Sequence, residues 1–196
     1  MNARIILDRL VEAEAEPQDV QPASASAHLY KFSELSPSSK QRAIQNAEAQ
    51  IGYNWADEAI QSLKALSGVF HGRLKDWDID WTNSSPSRAD FDMPEMEPAE
   101  VEEILKGLGT YDEQTLKGHG DCHLTGFHAD EDAIDGFRKA WHAGVQDLNE
   151  LMKAAFDSWL AACQADYADQ YTEEQFNEMA EANEWTYLRN GEMFFP

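Results

Sequence analysis

The chain has 196 residues, of which 37 are Asp or Glu and 15 are Lys or Arg, so its formal net charge is −22. Proteins hold nucleic acid and anionic membranes mainly through Lys and Arg, so this balance disfavours direct binding to either and favours partners that are basic, neutral or metal-bearing. Hydrophobic residues make up 42% of the chain, which is too much for a disordered acidic tail and enough for a folded core.

The sequence predicts a cytoplasmic protein. Cys122 and Cys163 provide no disulfide framework, which is typical of a reducing compartment. No apolar run approaches the roughly 18 residues that a membrane span needs. The first residues also lack the unbroken apolar stretch of a signal peptide.

The chain begins with a predicted appendage. Residues 1–14 place Ile6, Leu7 and Leu10 at helical spacing, which predicts an amphipathic helix. Residues 15–28 contain prolines and alternating Ala and Ser, a composition typical of a linker. We therefore expect residues 29–196 to form a single domain.

Two helices are predicted next, and together they indicate a helical hairpin. Ser36 can cap the first helix, Pro37 suits its first turn, and Gly52 ends it. The second helix is predicted from about Asn54 to Phe70. Its apolar stripe consists of Trp55, Ala59, Leu63 and Leu66.

The hydrophobic period then changes from that of a helix to that of a strand. Residues 76–81 alternate strictly, with Trp77, Ile79 and Trp81 on one face and aspartates on the other, so we expect this strand to be half-buried. Residues 88–93 are predicted to return as its antiparallel partner. A short acidic helix is expected from Ala99 to about Leu108.

The second half of the chain predicts more helix and two further strand regions. Residues 121–127 resemble a strand, and apolar residues then recur at helical spacing from Asp130 to Tyr167, with a bend near Gly144. A helix follows from Glu173 to Asn183. The Asn-Gly pair within residues 185–195 favours a β-hairpin. The fold class is therefore α+β, a mostly antiparallel sheet of four or five strands packed with helices, one long amphipathic helix and a C-terminal β-hairpin.

Several segments resemble a family of tailed-bacteriophage accessory proteins, members of which are sometimes labelled antitoxin-like. The likeness covers about three quarters of the chain, and its most specific parts are LTGFHA at 124–129 and ANEWTY at 182–187. The similar segments as a whole are residues 30–47, 76–92, 121–137 and 164–194. The resemblance implies a phage accessory gene expressed in the infected bacterial cytoplasm, and it assigns no activity to particular residues.

Three groups of residues are candidate sites of chemistry. His119, Asp121, Cys122, His123 and His128 are ligand types suited to zinc, but they lack the paired spacing of a zinc site and are better explained as polar residues at a strand end. The acids Asp78 and Asp80 share a strand face, where alternating charge also keeps an exposed strand soluble. Cys163 lies beside an apolar helical stripe and is predicted to be a buried, inert thiol. We expect no enzyme activity, no cofactor and no metal.

The distribution of charge suggests a function. Residues 90–136 hold 14 acidic residues and 2 basic ones, and such a field attracts a basic groove. The predicted partner-binding residues are Glu100, Glu102, Glu103, Asp112, Glu113, Asp130, Glu131 and Asp132.

Two functions of different classes fit this charge. The first is a phage-encoded inhibitor that binds a basic, nucleic-acid-binding host protein, such as a defence effector, partly by mimicking nucleic-acid charge. The alternative is an interaction protein, such as a toxin-neutralising module, whose acidity only confers solubility and whose contacts are apolar. The amphipathic helices leave a homodimer open.

Overall fold

A computed structural model describes residues 28–108 and 124–194 of the chain. These ranges contain six helices, four short strands and a 3₁₀ turn at Phe32–Glu34. The helices are α1 (Pro37–Ile51), α2 (Ala56–Val69), α3 (Pro98–Gly107), α4 (Asp130–His142), α5 (Leu148–Gln170) and α6 (Glu173–Ala182). The strands are β1 (Arg73–Asp78), β2 (Arg88–Asp92), β3 (Thr186–Tyr187) and β4 (Met193–Phe194).

The α+β class is confirmed, but the single sheet of four or five strands is wrong for the described residues. They contain two separate antiparallel pairs, β1 with β2 and β3 with β4, and an isolated bridge between Tyr30 and Tyr187. Residues 124–127, predicted as part of a strand, form a bend because their backbone amides bond to the Asp130 carboxylate instead of a neighbouring strand. The rest of that predicted strand, the N-terminal helix and nearly all of the linker lie outside the described ranges.

The predicted long helix is two helices that fold back on each other. It stops after His142, where Gly144 has a φ of +93°, and α5 begins where the Asp147 carboxylate accepts hydrogen bonds from two backbone amides. Gly136 of α4 lies directly against Ala154 and Ala155 of α5, so the two helices run antiparallel in close contact. The sequence predicts only a bend near Gly144, whereas the structure has two separate helices there. The apolar stripes of α4 and α5 are buried against each other and do not form one continuous helical face.

Two hydrophobic clusters stabilise the structure. The main core is built by α2, α3, α4 and α5, and its largest side chain is the fully buried Trp159. Phe70 and Phe137 stack there with ring centroids 4.4 Å apart. The C-terminal core joins α1 and α6 to the β3–β4 hairpin around Phe176 and Tyr187. The helices α1 and α2, predicted to form one hairpin, thus contribute their buried residues to different cores.

The β1–β2 hairpin is antiparallel, as predicted, but its first strand has different bounds from the predicted ones. Strand β1 begins three residues earlier than residue 76 and ends at Asp78, so Ile79 and Trp81 lie beyond it. Its buried residue is Leu74, whereas Trp77 has 40% of its surface exposed. The strand ends there because the Asp80 carboxylate accepts hydrogen bonds from the backbone amides and hydroxyls of Thr82 and Ser85. That carboxylate organises a turn and does not continue a strand face.

Candidate protein-binding surface

The structure divides the predicted partner-binding acids into two groups. Glu100, Glu102 and Glu103 lie on α3, and Asp130, Glu131 and Asp132 form the first turn of α4. Asp112 and Glu113 lie outside the described residues. The α3 group meets the other end of α4, because the Trp141 indole donates a hydrogen bond to Glu102 Oε2 at 3.0 Å. Asp132 and Trp141 are nine residues apart, so the two groups are separated by about 13 Å along the helix axis.

Within the α3 group, Glu102 differs from its neighbours. The indole of Trp141 and then the Lys106 ammonium, 3.4 Å from Glu102 Oε1, hold the pKa of that carboxyl below its usual value. Glu102 is therefore an ionised group that ties α3 to α4. Glu100 and Glu103 are exposed and form no ion pair with any residue that the structure describes, so both carboxylates remain open to a partner.

In the α4 group, Asp130 is part of the fold rather than of an exposed surface. Only 2% of the Asp130 surface is exposed. The Asp130 carboxylate accepts hydrogen bonds from the Thr125 amide at 2.9 Å and the Gly126 amide at 3.0 Å. The Thr125 hydroxyl donates to it as well. The sequence prediction treated all three acids as equivalent, but the contacts make Asp130 the anchor of the preceding turn.

The Asp130→Ala substitution should destabilise the folded protein by about 1–3 kcal/mol, because several hydrogen bonds to a charged acceptor are lost together. Urea unfolding followed by circular dichroism measures this change. The control is Asp157→Ala on the exposed surface of α5, which should change the free energy of unfolding by less than about 0.5 kcal/mol. Equal effects of the two substitutions would contradict the anchoring role.

The remaining acids of this group are crowded by like charge. Burial raises the pKa of Glu131, and Asp135 and Asp132 raise it further. Burial and then Asp135 also raise the pKa of Asp132, while His128 acts in the opposite direction. Glu131 and Asp135 are one helical turn apart, a like-charge spacing that destabilises a helix. A cation placed near this turn would therefore favour the ionised carboxylates and relieve their repulsion.

Next to this turn lies a polar cluster centred on Asp166 of α5. Asp166 Oδ2 accepts a hydrogen bond of 2.7 Å from the Tyr53 hydroxyl and lies 3.9 Å from His128 Nε2. Cys163, one helical turn before it, is fully buried. Burial raises the pKa of this thiol to about 12, so the thiolate needed for nucleophilic chemistry is scarce near neutral pH. The prediction that Cys163 is buried is confirmed.

The other candidate residues for chemistry do not come together in the described part of the chain. His119, Asp121, Cys122 and His123 lie outside it, and the described ranges hold no group of three or more ligand-type side chains arranged for a metal. Hydrogen bonds from Thr82 and Ser85 lower the pKa of Asp80, so this carboxyl is an ionised acceptor within its loop. Among the described helices, none has the combination of length and hydropathy that a membrane-spanning helix requires.

A feature that sequence reasoning missed is the exposure of Trp55. The sequence placed it in the buried stripe of the second helix, but that helix begins one residue later, and 51% of the Trp55 surface is exposed. Trp55 lines a groove of about 350 Å³ together with Asp166 and Asp169 of α5 and Glu178 of α6. The nearest sequence signal is Gly52, which ends α1 with a φ of +69° and marks the turn that precedes α2.

Comparison with protein-family models, with curated proteins and with solved structures gave no match to this chain.

Proposed function

We propose that this protein is a phage-encoded acidic inhibitor that binds a host protein with a basic, nucleic-acid-binding surface, partly by mimicking nucleic-acid charge. The observation that carries the proposal is the pair of acidic groups at opposite ends of α4. The described ranges hold 29 Asp or Glu and 12 Lys or Arg, so internal ion pairs cannot neutralise the surface.

The geometry of these groups suits an extended basic site. Glu100 and Glu103 at one end and Glu131 and Asp132 at the other are fixed by helices, so their charges keep a constant spacing. In duplex nucleic acid the phosphates of one strand recur about every 3.4 Å along the axis, so 13 Å corresponds to roughly four base pairs. This distance is axial only: nine residues are about two and a half helical turns, so Asp132 and Trp141 lie on opposite sides of α4, and a basic site would have to curve around the helix to contact both groups.

We expect the pH dependence of binding to follow Glu131 and Asp132. A basic partner stabilises their ionised forms, so affinity should fall as the pH is lowered through the raised pKa values and should be constant well above them. Protonation of these two carboxyls does not itself destabilise the fold. For a carboxyl whose pKa is higher in the folded state, the folded protein binds more protons, and its contribution to stability rises as the pH falls.

The decisive test neutralises the proposed surface in the full-length protein. We expect Glu100→Gln, Glu103→Gln, Glu131→Gln and Asp132→Asn together to abolish salt-sensitive capture of a basic protein from nuclease-treated bacterial lysate, because the encounter depends on charge. Capture is washed at low and at high salt, identified by mass spectrometry, and quantified with the purified partner.

The matched control removes the same charge elsewhere. It carries Glu150→Gln, Asp157→Asn, Glu184→Gln and Glu192→Gln, all of exposed residues. This control should retain most of the binding. If both variants lose the partner equally, total charge rather than the α3–α4 surface is responsible, and unchanged binding by the first variant would reject charge mimicry.

A second function, an antitoxin-like module with apolar contacts, is supported by exposed hydrophobic side chains. Trp55 is 51% exposed and Trp77 is 40% exposed, and Ile51 lies close to Trp55 in sequence with 37% of its surface exposed. Aromatic residues of this kind often dominate protein interfaces. A single partner whose capture resists high salt and is lost on Trp77→Ala would favour this function over the inhibitor.

A further inference from the structure

The groove that contains Trp55 is a built surface with fixed walls. The Gln170 side chain donates to the Gly52 carbonyl at 3.0 Å and accepts from the Asn54 amide at 3.3 Å, so it joins α5 to the segment before α2. The Asn54 side chain then contacts the Met179 sulfur of α6 at 3.2 Å. These contacts connect the three segments that line the groove, which reduces the ordering cost of binding.

The charge of the groove is entirely negative. Asp166, Asp169 and Glu178 contribute carboxylates, and no Lys or Arg is among the residues that line it in the described structure. Asp166 is bonded to Tyr53, while Asp169 and Glu178 form no ion pair with any described residue. The lining therefore combines two available carboxylates with the partly exposed indole of Trp55.

We infer that this groove is the docking site for an arginine side chain carried by a basic segment of the partner protein. A guanidinium can stack on the Trp55 indole and at the same time donate hydrogen bonds to carboxylates. Its aliphatic stem would pack beside Met179 and Ala182, which also line the groove. This inference rests on the proposed function in one respect, namely that the partner is basic.

Arginine fits this lining better than other cations do. Lysine carries a compact ammonium that cannot stack as a plane or pair with a carboxylate through two parallel bonds. A free polyamine would use the carboxylates but needs no aromatic surface. The groove volume of about 350 Å³ also lies near the lower end of ligand sites, which suits one side chain rather than a large molecule.

The test uses the full chain and three labelled peptides of one sequence, which carry arginine, lysine or the uncharged isostere citrulline at the same positions. Fluorescence anisotropy measures affinity, and the assigned indole N–H signal of Trp55 locates binding by NMR. We expect the arginine peptide to bind most tightly and to shift the Trp55 signal. Trp55→Ala and the pair Asp169→Asn and Glu178→Gln should each weaken binding by about tenfold.

Matched controls separate the groove from the general acidic field. Trp77→Ala removes another exposed tryptophan, and Glu150→Gln with Glu192→Gln removes two charges elsewhere, so each should weaken binding less than about twofold. Equal loss in test and control variants, equal binding of the citrulline peptide, or tighter binding of spermidine would overturn the inference. Melting curves of every variant confirm that it is folded.

The outcomes for the groove and for the proposed function are distinguishable. Peptide binding tests the groove directly, whereas the lysate capture with the α3–α4 variant tests the inhibitor. If capture fails but the arginine peptide still shifts Trp55, the proposed function is rejected and the groove assignment stands. If the lysate capture succeeds and the arginine peptide leaves the Trp55 indole signal unchanged, the groove assignment is rejected.

Discussion

The Gly191→Ala substitution is expected to destabilise the protein by about 2–5 kcal/mol. Gly191 has a φ of +89°, where an L-residue costs about 1–2 kcal/mol. An added methyl group would also overlap the backbone carbonyl of Ser39 in α1, which cannot move aside like a flexible side chain. The hairpin loop and α1 must therefore separate, and overpacking of this kind costs a further 1–3 kcal/mol or so.

Equilibrium unfolding in urea measures this effect, with Gly144→Ala as the matched control. Gly144 has nearly the same backbone conformation, with a φ of +93°, but nothing lies within 4 Å of a methyl group placed there. Its substitution should therefore cost only the conformational part, about 1–2 kcal/mol. Similar losses for the two variants would show that the close approach to Ser39 contributes nothing.

The Gly136→Ala substitution is expected to destabilise the protein by about 2 kcal/mol. A methyl group at this position would lie 2.6 Å from the Ala154 carbonyl oxygen and 2.7 Å from Ser158 Cβ, so α4 and α5 would have to move apart. Such overpacking destabilises a protein by up to about 3 kcal/mol. The higher helix propensity of alanine offsets about 1 kcal/mol of this loss, which leaves a net destabilisation of about 2 kcal/mol.

The control for this prediction is Gly68→Ala in α2, where a methyl group meets nothing within 4 Å. Here only the propensity difference operates, so the protein should become more stable by about 0.5–1 kcal/mol. Thermal and urea unfolding of the two variants should therefore move in opposite directions. A stabilised Gly136→Ala protein would mean that the α4–α5 contact is looser than the structure shows.

Local signals in the sequence predicted the boundaries of several elements well. Ser36 caps α1 by accepting from the Ser39 amide, and Thr172 caps α6 by accepting from the Gln175 amide. The Asn190–Gly191 pair lies in the loop that joins β3 and β4, as predicted. Each of these features depends on side chains within three or four residues of one another, so a short window of sequence contains the necessary information.

Features that depend on distant contacts were predicted less well. The apolar spacing is equally helical on both sides of Gly144, so it could not show that α4 turns back onto α5. The burial of Asp130 depends on the turn formed by Thr125 and Gly126, and the exposure of Trp55 depends on where α2 begins. For the same reason, the composition predicts an acidic surface but does not show which carboxylates stabilise the fold, as Asp130 does, and which are open to a partner, as Glu100 and Glu103 are.

Tyr171 connects the two hydrophobic cores. It packs against both the main core and the C-terminal core, and its hydroxyl donates to the Gly52 carbonyl beside Trp55. One wall of the groove comes from α5 of the main core and the other from α6 of the C-terminal core. An occupant would therefore contact both sides of the boundary that Tyr171 already spans. Separating α5 from α6 would then require losing the occupant, so binding would stabilise the contact between the two halves of the fold.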